Sequence, residues 1–159
     1  MNAALNHIMD TDSITRSVVI NAPRARVWRA LSDAKEFGAW FGARLEDQTF
    51  AVGKRVRGQL TICNYEHVWF DVVIERIRPQ DLFAYRWHPY AIDSAVDYSQ
   101  EEPTLVTFTL KDAPNNCTLL TVVESGFDKV PPQRRLEAFR MNSAGWEAQL
   151  RSIVRYVSA

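Results

Sequence analysis

Cysteine is almost missing from this chain, which has only Cys63 and Cys117. Two thiols so far apart offer no zinc or iron–sulfur spacing, which argues against a cluster-bearing oxidoreductase. Both are expected as reduced, buried thiols of a cytoplasmic protein rather than as a disulfide. Long apolar runs are lacking too, and none approaches the roughly 20 residues that a membrane span requires. The opening MNAALNHIMDTDS has neither a basic n-region nor a continuous apolar core, so no secretory signal is expected. No GxGxxG or GxxxxGKS fingerprint occurs, so a nucleotide would have to be held in another way. Neither sign of charge is in excess: Lys plus Arg is 19, Asp plus Glu is 19, and the formal net charge is zero. A nucleic-acid binder favours a basic face, so nucleic acid is not the expected partner.

What is present is 159 residues, 47% of them apolar and 24% charged, the mixture of one ordinary globular domain. A domain of this size buries about two-thirds of its unfolded surface, so its core needs no metal or cofactor, and none is expected. Residues 1–13 are polar and unpatterned and read as a disordered, frayed tail, which leaves 14–159 as the domain. Residues 14–21 (ITRSVVIN) read as a first strand. Pro23 then suits a first helical turn, because its missing N–H would be unpaired there anyway. Val27, Trp28 and Leu31 recur at helical spacing over 24–32. A second short helix, with Ser32 and Asp33 as cap residues, carries Phe37, Trp40 and Phe41, and Gly38 and Gly42 bend it.

From residue 43 to 127 short β runs alternate with turn chemistry. Strands are predicted over 44–50, 55–62, 67–77, 82–88, 104–111 and 117–125, and their short connections favour antiparallel neighbours. Pro131-Pro132 opens a long helix to about residue 157. Leu136, Phe139, Ser143, Trp146, Leu150, Ile153 and Val157 form one stripe along it. The sum is an α+β domain: a seven-stranded, curled antiparallel sheet, two short helices, and a long C-terminal helix across the sheet. One helix cannot fill the hollow of a curled sheet, so side chains or a cavity must occupy the rest.

Alternation assigns the strand faces. Phe83, Tyr85 and Trp87 belong to the concave side, as do Val106, Phe108 and Leu110 on the next strand. Trp69 shares parity with Asp71 and Val73 and falls on the outer face, while Trp146 and Phe139 are the long helix's candidates for lining the hollow. In the last strand Leu120, Val122 and Glu124 share one parity, and Leu119, Thr121 and Val123 the other.

These segments carry a resemblance. The opening SVVINAPRARVWRALSDAKEFGAWF is similar to the start of START-like domains (the SRPBCC, Bet v 1-like or helix-grip superfamily), most of all the branch named after the activator of the heat-shock protein 90 ATPase. VVIERIRPQDLFAYRWHPY, PTLVTFTLKDA, LLTVVESGFDKVP and the closing AFRMNSAGWEAQL, with Trp146 in a glycine–tryptophan setting, extend it over about residues 14–157. The resemblance implies a helix-grip fold but no single activity, since the superfamily includes lipid carriers, cyclases, dehydratases and co-chaperones. It also turns the Glu124 set inward. A lone charged carboxylate there would be costly, so it should be paired, hydrogen-bonded or protonated; Arg76, in phase with Phe70, Val72 and Ile74, is a candidate partner. The co-chaperone behind the branch name has a further N-terminal domain for which this chain leaves no room, so a chaperone is a lesser expectation.

The longest irregular segment, 88–103 (HPYAIDSAVDYSQEEP), reads as a surface crossing or a lid. His88 with Asp93 and Asp97 lacks a metal-ligand spacing, and Ser125-Gly126 lacks the GxSxG frame. With no nucleophile, base and orienter assembled, no catalytic residue is assigned. The leading expectation is a non-enzymatic domain that binds a small hydrophobic molecule between sheet and closing helix. Its ligand-binding set would be Trp40, Tyr85, Trp87, Phe108, Glu124, Phe139 and Trp146. The alternatives are a cyclase-, dehydratase- or hydrolase-type enzyme with Glu124 as acid–base group, and a co-chaperone-like interaction module.

Overall fold

The computed structural model describes residues 11–158. Of the tail expected over 1–13, residues 1–10 lie outside that range. Asp12 accepts the Asp128 backbone N–H at 3.1 Å, and Ser13 opens the first strand. The chain runs β1 (Ser13–Ile20), α1 (Arg24–Ser32), α2 (Ala34–Phe41), β2 (Arg55–Gln59), β3 (Trp69–Arg78), β4 (Leu82–Trp87), β5 (Thr104–Ala113), β6 (Cys117–Ser125) and α3 (Pro132–Ser158). A single turn of 3-10 helix, Phe127–Lys129, joins β6 to α3. Among the described residues no helix is long and apolar enough to cross a membrane.

The sheet has six antiparallel strands in the order β1-β6-β5-β4-β3-β2, not seven. No residue of the strand expected over 44–50 joins the sheet; only Ala43, just before it, makes an isolated bridge with Leu60. A turn closed by the Gln48 N–H on the Leu45 carbonyl diverts the chain before a ladder forms. Cys63 is exposed and Cys117 half-buried, against the expectation of two buried thiols. Cys63 lies on the β2–β3 connection beside Asn64, whose φ of 75° marks a tight turn at the surface.

One register row crosses the concave face: Ile14 on β1, Glu124 on β6, Val106 on β5, Tyr85 on β4 and Ile74 on β3 are successive partners. Beyond Ile74 a bulge shifts the β3–β4 register, so that Arg76 pairs with Ala84 and Ile77 with Phe83. The extra residue inverts the alternation from there on. Ile77 turns into the core and Arg76 is exposed. Arg76 is therefore no partner of Glu124.

The bowl of the sheet is filled chiefly by α2. Asp33 caps this helix by accepting the Glu36 N–H, and Gly42 closes it at φ 99°. Its apolar face inserts Phe37, whose ring centroid lies within 6.4 Å of Phe50, Phe70, Phe83, Tyr85 and Phe108. Trp40 is buried alongside, its indole N–H donating to the Ala30 carbonyl at 2.7 Å. Above them α3 buries Ala138, Trp146, Leu150 and Ile153. Leu136, assigned to the same stripe, is 56% exposed instead. Ala138, two residues further on and so about 200° around the helix, is buried in its place, which puts Leu136 on the solvent side.

Candidate functional site

Glu124 is fully buried, and its surroundings follow from register and helical spacing. On β6 it faces Val106 of β5, and Thr104, two residues earlier on β5, pairs with Trp87 of β4. Thr104 and Trp87 therefore lie diagonal to the carboxylate on its own face. From above, Asn142 and Trp146 descend from α3 four residues apart, one turn of helix on one side. All four neighbours donate. The Trp146 N–H reaches Oε1 at 2.8 Å, the Trp87 N–H reaches Oε2 at 2.8 Å, and the Thr104 hydroxyl reaches Oε2 at 2.6 Å. The Asn142 amide spans both oxygens at 3.0 and 3.2 Å. A carboxylate offers about four lone-pair sites, so these donors use what it has. Saturated in this way it ties α3 to β4, β5 and β6, and it is poorly placed to take a substrate proton.

On the far side of Trp87, Trp146 and Asn142 lies a cavity of about 430 Å³ between the middle of α3 and the adjoining ends of β3 and β4. Its floor is Phe41, Phe70 and the two tryptophans, whose rings stack at 5.7 Å and 25°. Met141, Gly145 and Gln149 of α3 form one wall. Ile62 and Tyr65 of the β2–β3 connection and Tyr90 and Ile92 of the β4–β5 loop form the other. A Cβ built on Gly145 meets nothing within 4 Å, so the helix backbone itself borders open space here. Trp69 is 51% exposed at the mouth with the Arg57 guanidinium 4.8 Å from its ring, so its outward position extends to the cavity rim.

The loop over 88–103 closes one side, and Arg134 at the start of α3 fastens it. The guanidinium pairs with Glu101, donates to the Pro89 carbonyl at 2.8 Å, and lies 4.7 Å from the Tyr98 ring. His88 and His67 add bonds to the Glu101 and Ile92 carbonyls. A larger cleft of about 840 Å³ lies on the outer sheet face. Its Arg55 and Arg57 are already joined to Asp71, whose carboxyl they hold below its ordinary pKa against the upward push of burial. Among the described residues no group of His, Cys, Asp and Glu side chains is arranged to hold a metal ion.

Of the residues singled out from sequence, Trp87 and Trp146 line this cavity. The other five stand elsewhere. Trp40, Tyr85 and Phe108 are core around Phe37, and Phe139 packs on Phe127 at 5.2 Å. Glu124 lies one layer behind the wall. Tyr85 carries a hydroxyl with no hydrogen-bond partner among the described residues. Burial, and then the nearby Glu124 charge, push its pKa well above the ordinary phenol value. Sequence reasoning missed Asn142, Gly145 and Gln149. Asn142 and Gln149, four residues before and three after Trp146, carried the available signal; Gly145, next to Trp146, carried none of that spacing.

A curved antiparallel sheet gripping one long C-terminal helix, with a buried carboxylate hub and an apolar cavity beside it, defines a helix-grip domain of the START-like, SRPBCC class. The chain belongs to the family described as Activator of Hsp90 ATPase homolog 1-like protein, whose profile matches residues 21–158. It is similar in structure to a structural-genomics protein of Mesorhizobium loti (TM-score 0.69, 23% identity, covering 92% of this chain and 96% of that one). It also resembles DynU16, from the dynemicin biosynthetic locus (TM-score 0.67, 22% identity, 93% of this chain), and spans 48% of that protein's length. A third likeness is the Aha1 dimer of Colwellia psychrerythraea (TM-score 0.62, 14% identity, 88% and 91% coverage). No curated protein matches the sequence.

Proposed function

We propose that this domain binds a small, largely apolar molecule in the cavity between α3 and the sheet. The observation that carries this is the cavity itself: about 430 Å³, floored by Trp87, Trp146, Phe41 and Phe70, and open beside Gly145. That volume falls in the range of about 300–1,000 Å³ typical of small-molecule sites. Apolar burial at about 25 cal/mol per Å² drives the binding, so covering 200 Å² of ligand, an illustrative area, contributes roughly 5 kcal/mol before association entropy is subtracted. Trp87, Trp146 and Asn142 are held in place by Glu124, which makes the floor rigid before the ligand arrives. In this reading Glu124 is a positioning residue. The acid–base alternative draws no support from a carboxylate whose oxygens are occupied by four donors.

The test uses N-phenyl-1-naphthylamine, a neutral dye that brightens in apolar sites. Saturable 1:1 binding to the wild type is expected. Gly145→Leu, which pushes a side chain into the void, is expected to abolish it while circular dichroism and the unfolding transition persist. Wild-type protein that does not bind, or a Gly145→Leu variant that binds equally well, would overturn the proposal.

A further inference from the structure

The loop over 88–103 is attached to the molecule differently from the other walls of the cavity. Among the described residues its backbone-to-backbone hydrogen bonds are internal, from the Val96 N–H to the Asp93 carbonyl and from the Glu101 N–H to the Tyr98 carbonyl. The β2–β3 connection is pinned through its main chain instead. There the Leu60 N–H donates to the Val68 carbonyl at 3.0 Å, and the Thr61 N–H to the Gly42 carbonyl at 2.8 Å. The third wall, α3, is anchored by the burial of Trp146, Leu150 and Ile153.

Side chains hold the loop. The Arg134 guanidinium forks onto Glu101, with Nε 2.9 and 3.1 Å from its two oxygens, and donates to the Pro89 carbonyl at 2.8 Å. Both charged side chains are mostly buried, so salt screens this pair less than a surface pair. His67 reaches the Ile92 carbonyl at 3.1 Å, and the Tyr65 hydroxyl adjoins that of Tyr90. Tyr90 keeps φ at 51°, which a bulky residue holds only while its surroundings impose it. A segment fastened by a few side-chain bonds, with no ladder to its neighbours, has a released arrangement close in free energy.

What the loop separates gives that release a consequence. Ala91 and Ile92 line the inner cavity of about 430 Å³ and also the outer cleft of about 840 Å³, and Trp69 and His88 border both. Held in place, the strip 90–92 divides two spaces; released, it joins them. Resting on the cavity reading above, we infer that the Arg134–Glu101 pair sets the size limit of the ligand: a compact molecule fits behind the fastened strip, and a longer one binds only by displacing it toward the outer cleft. Arg134 and Glu101 are positioning residues, since neither lines the cavity. A long ligand has its affinity reduced by the fraction of molecules in which the strip is released, whereas a compact one does not draw on that fraction. Weakening the pair therefore tightens long ligands and leaves compact ones alone.

Two neutral dyes read this out: N-phenyl-1-naphthylamine, which is compact, and 1,6-diphenylhexatriene, an extended rod. In Glu101→Gln and Arg134→Met the rod is expected to bind about tenfold more tightly than in the wild type, the factor that loss of a charge-assisted bond gives, while the compact dye stays within about threefold. Glu101→Gln leaves Arg134 its bond to the Pro89 carbonyl, so it carries the test should Arg134→Met fail to fold. Gln59→Ala is the control: it removes the amide bond to the Glu66 carbonyl at 2.6 Å in the β2–β3 connection and should leave both affinities in place. A rod affinity that does not rise, a loss of both dyes together, or an equal gain in Gln59→Ala would overturn this inference and leave the cavity reading standing. Wild-type protein that does not bind the compact dye would overturn the cavity reading, and the inference with it.

Discussion

Glu124→Gln tests the buried hub most directly, because it keeps the shape of the side chain and exchanges one acceptor oxygen for an NH2 group. Placed at the Oε1 position, the NH2 faces the Trp146 N–H, which cannot accept, and the Asn142 amide, which accepts only by turning its oxygen inward. Placed at Oε2 it faces Thr104, whose hydroxyl can turn and accept, but the Trp87 indole loses its acceptor. The second arrangement costs less, and it still leaves one indole N–H unpaired, worth about 1–3 kcal/mol. The remaining bonds also lose charge assistance, about 1 kcal/mol more, while relief from burying a charge works in the opposite direction. The net expectation is a loss of about 2–3 kcal/mol, or a Tm lowered by about 4–12 °C. Urea unfolding followed by tryptophan fluorescence should show a lower midpoint at an unchanged m-value. The indole N–H signals of Trp87 and Trp146 should shift in ¹⁵N spectra. A midpoint equivalent to less than about 0.5 kcal/mol of change, with both indole signals in place, would refute the hub.

Tyr85→Phe removes a buried hydroxyl that has no partner, so stability should stay level or rise by about 1 kcal/mol; a loss of that size would reveal a bond the geometry does not contain. Gly145→Ala adds a methyl group where nothing lies within 4 Å and should stabilise α3 by about 0.5–1 kcal/mol, read from the same urea curves. Glu36 on α2 predicts a pH dependence. Burial pushes its pKa up, but hydrogen bonds from Arg26, Tyr156 and Arg29 outweigh that and hold it below the ordinary glutamate value. With the folded pKa depressed, its contribution is present above the unfolded value near pH 4.3 and is lost as pH falls through the lower folded value. The stability gap between wild type and Glu36→Gln should therefore be open at pH 6 and narrow progressively as pH falls below about 4; a gap that does not vary with pH would count against the pairing.

The sheet, the long closing helix and the inward run of Phe83, Tyr85, Trp87 and Phe108 were legible in the sequence, because alternation and helical spacing are local patterns that burial enforces at every residue. Arg76 was misplaced because a bulge of one residue inverts every side chain after it, and alternation carries no mark of where the extra residue falls. The missing seventh strand has a similar origin: 44–50 has the composition of a strand, but the turn after Leu45 leaves only Ala43, just before it, in a bridge.

The cavity belongs to the tertiary structure alone. Residues 34–41 predicted a short aromatic helix, yet only its docking shows that Phe37 fills the bowl and displaces the open space beyond Trp87 and Trp146. Glu124 likewise announced itself as an inward acid. Its four donors come from positions 87, 104, 142 and 146, which no local pattern connects. Sequence periodicity reports which way a side chain faces relative to its own backbone. What meets it there depends on register, a bulge and the angle at which a helix crosses the sheet, and these are settled only when distant segments pack together.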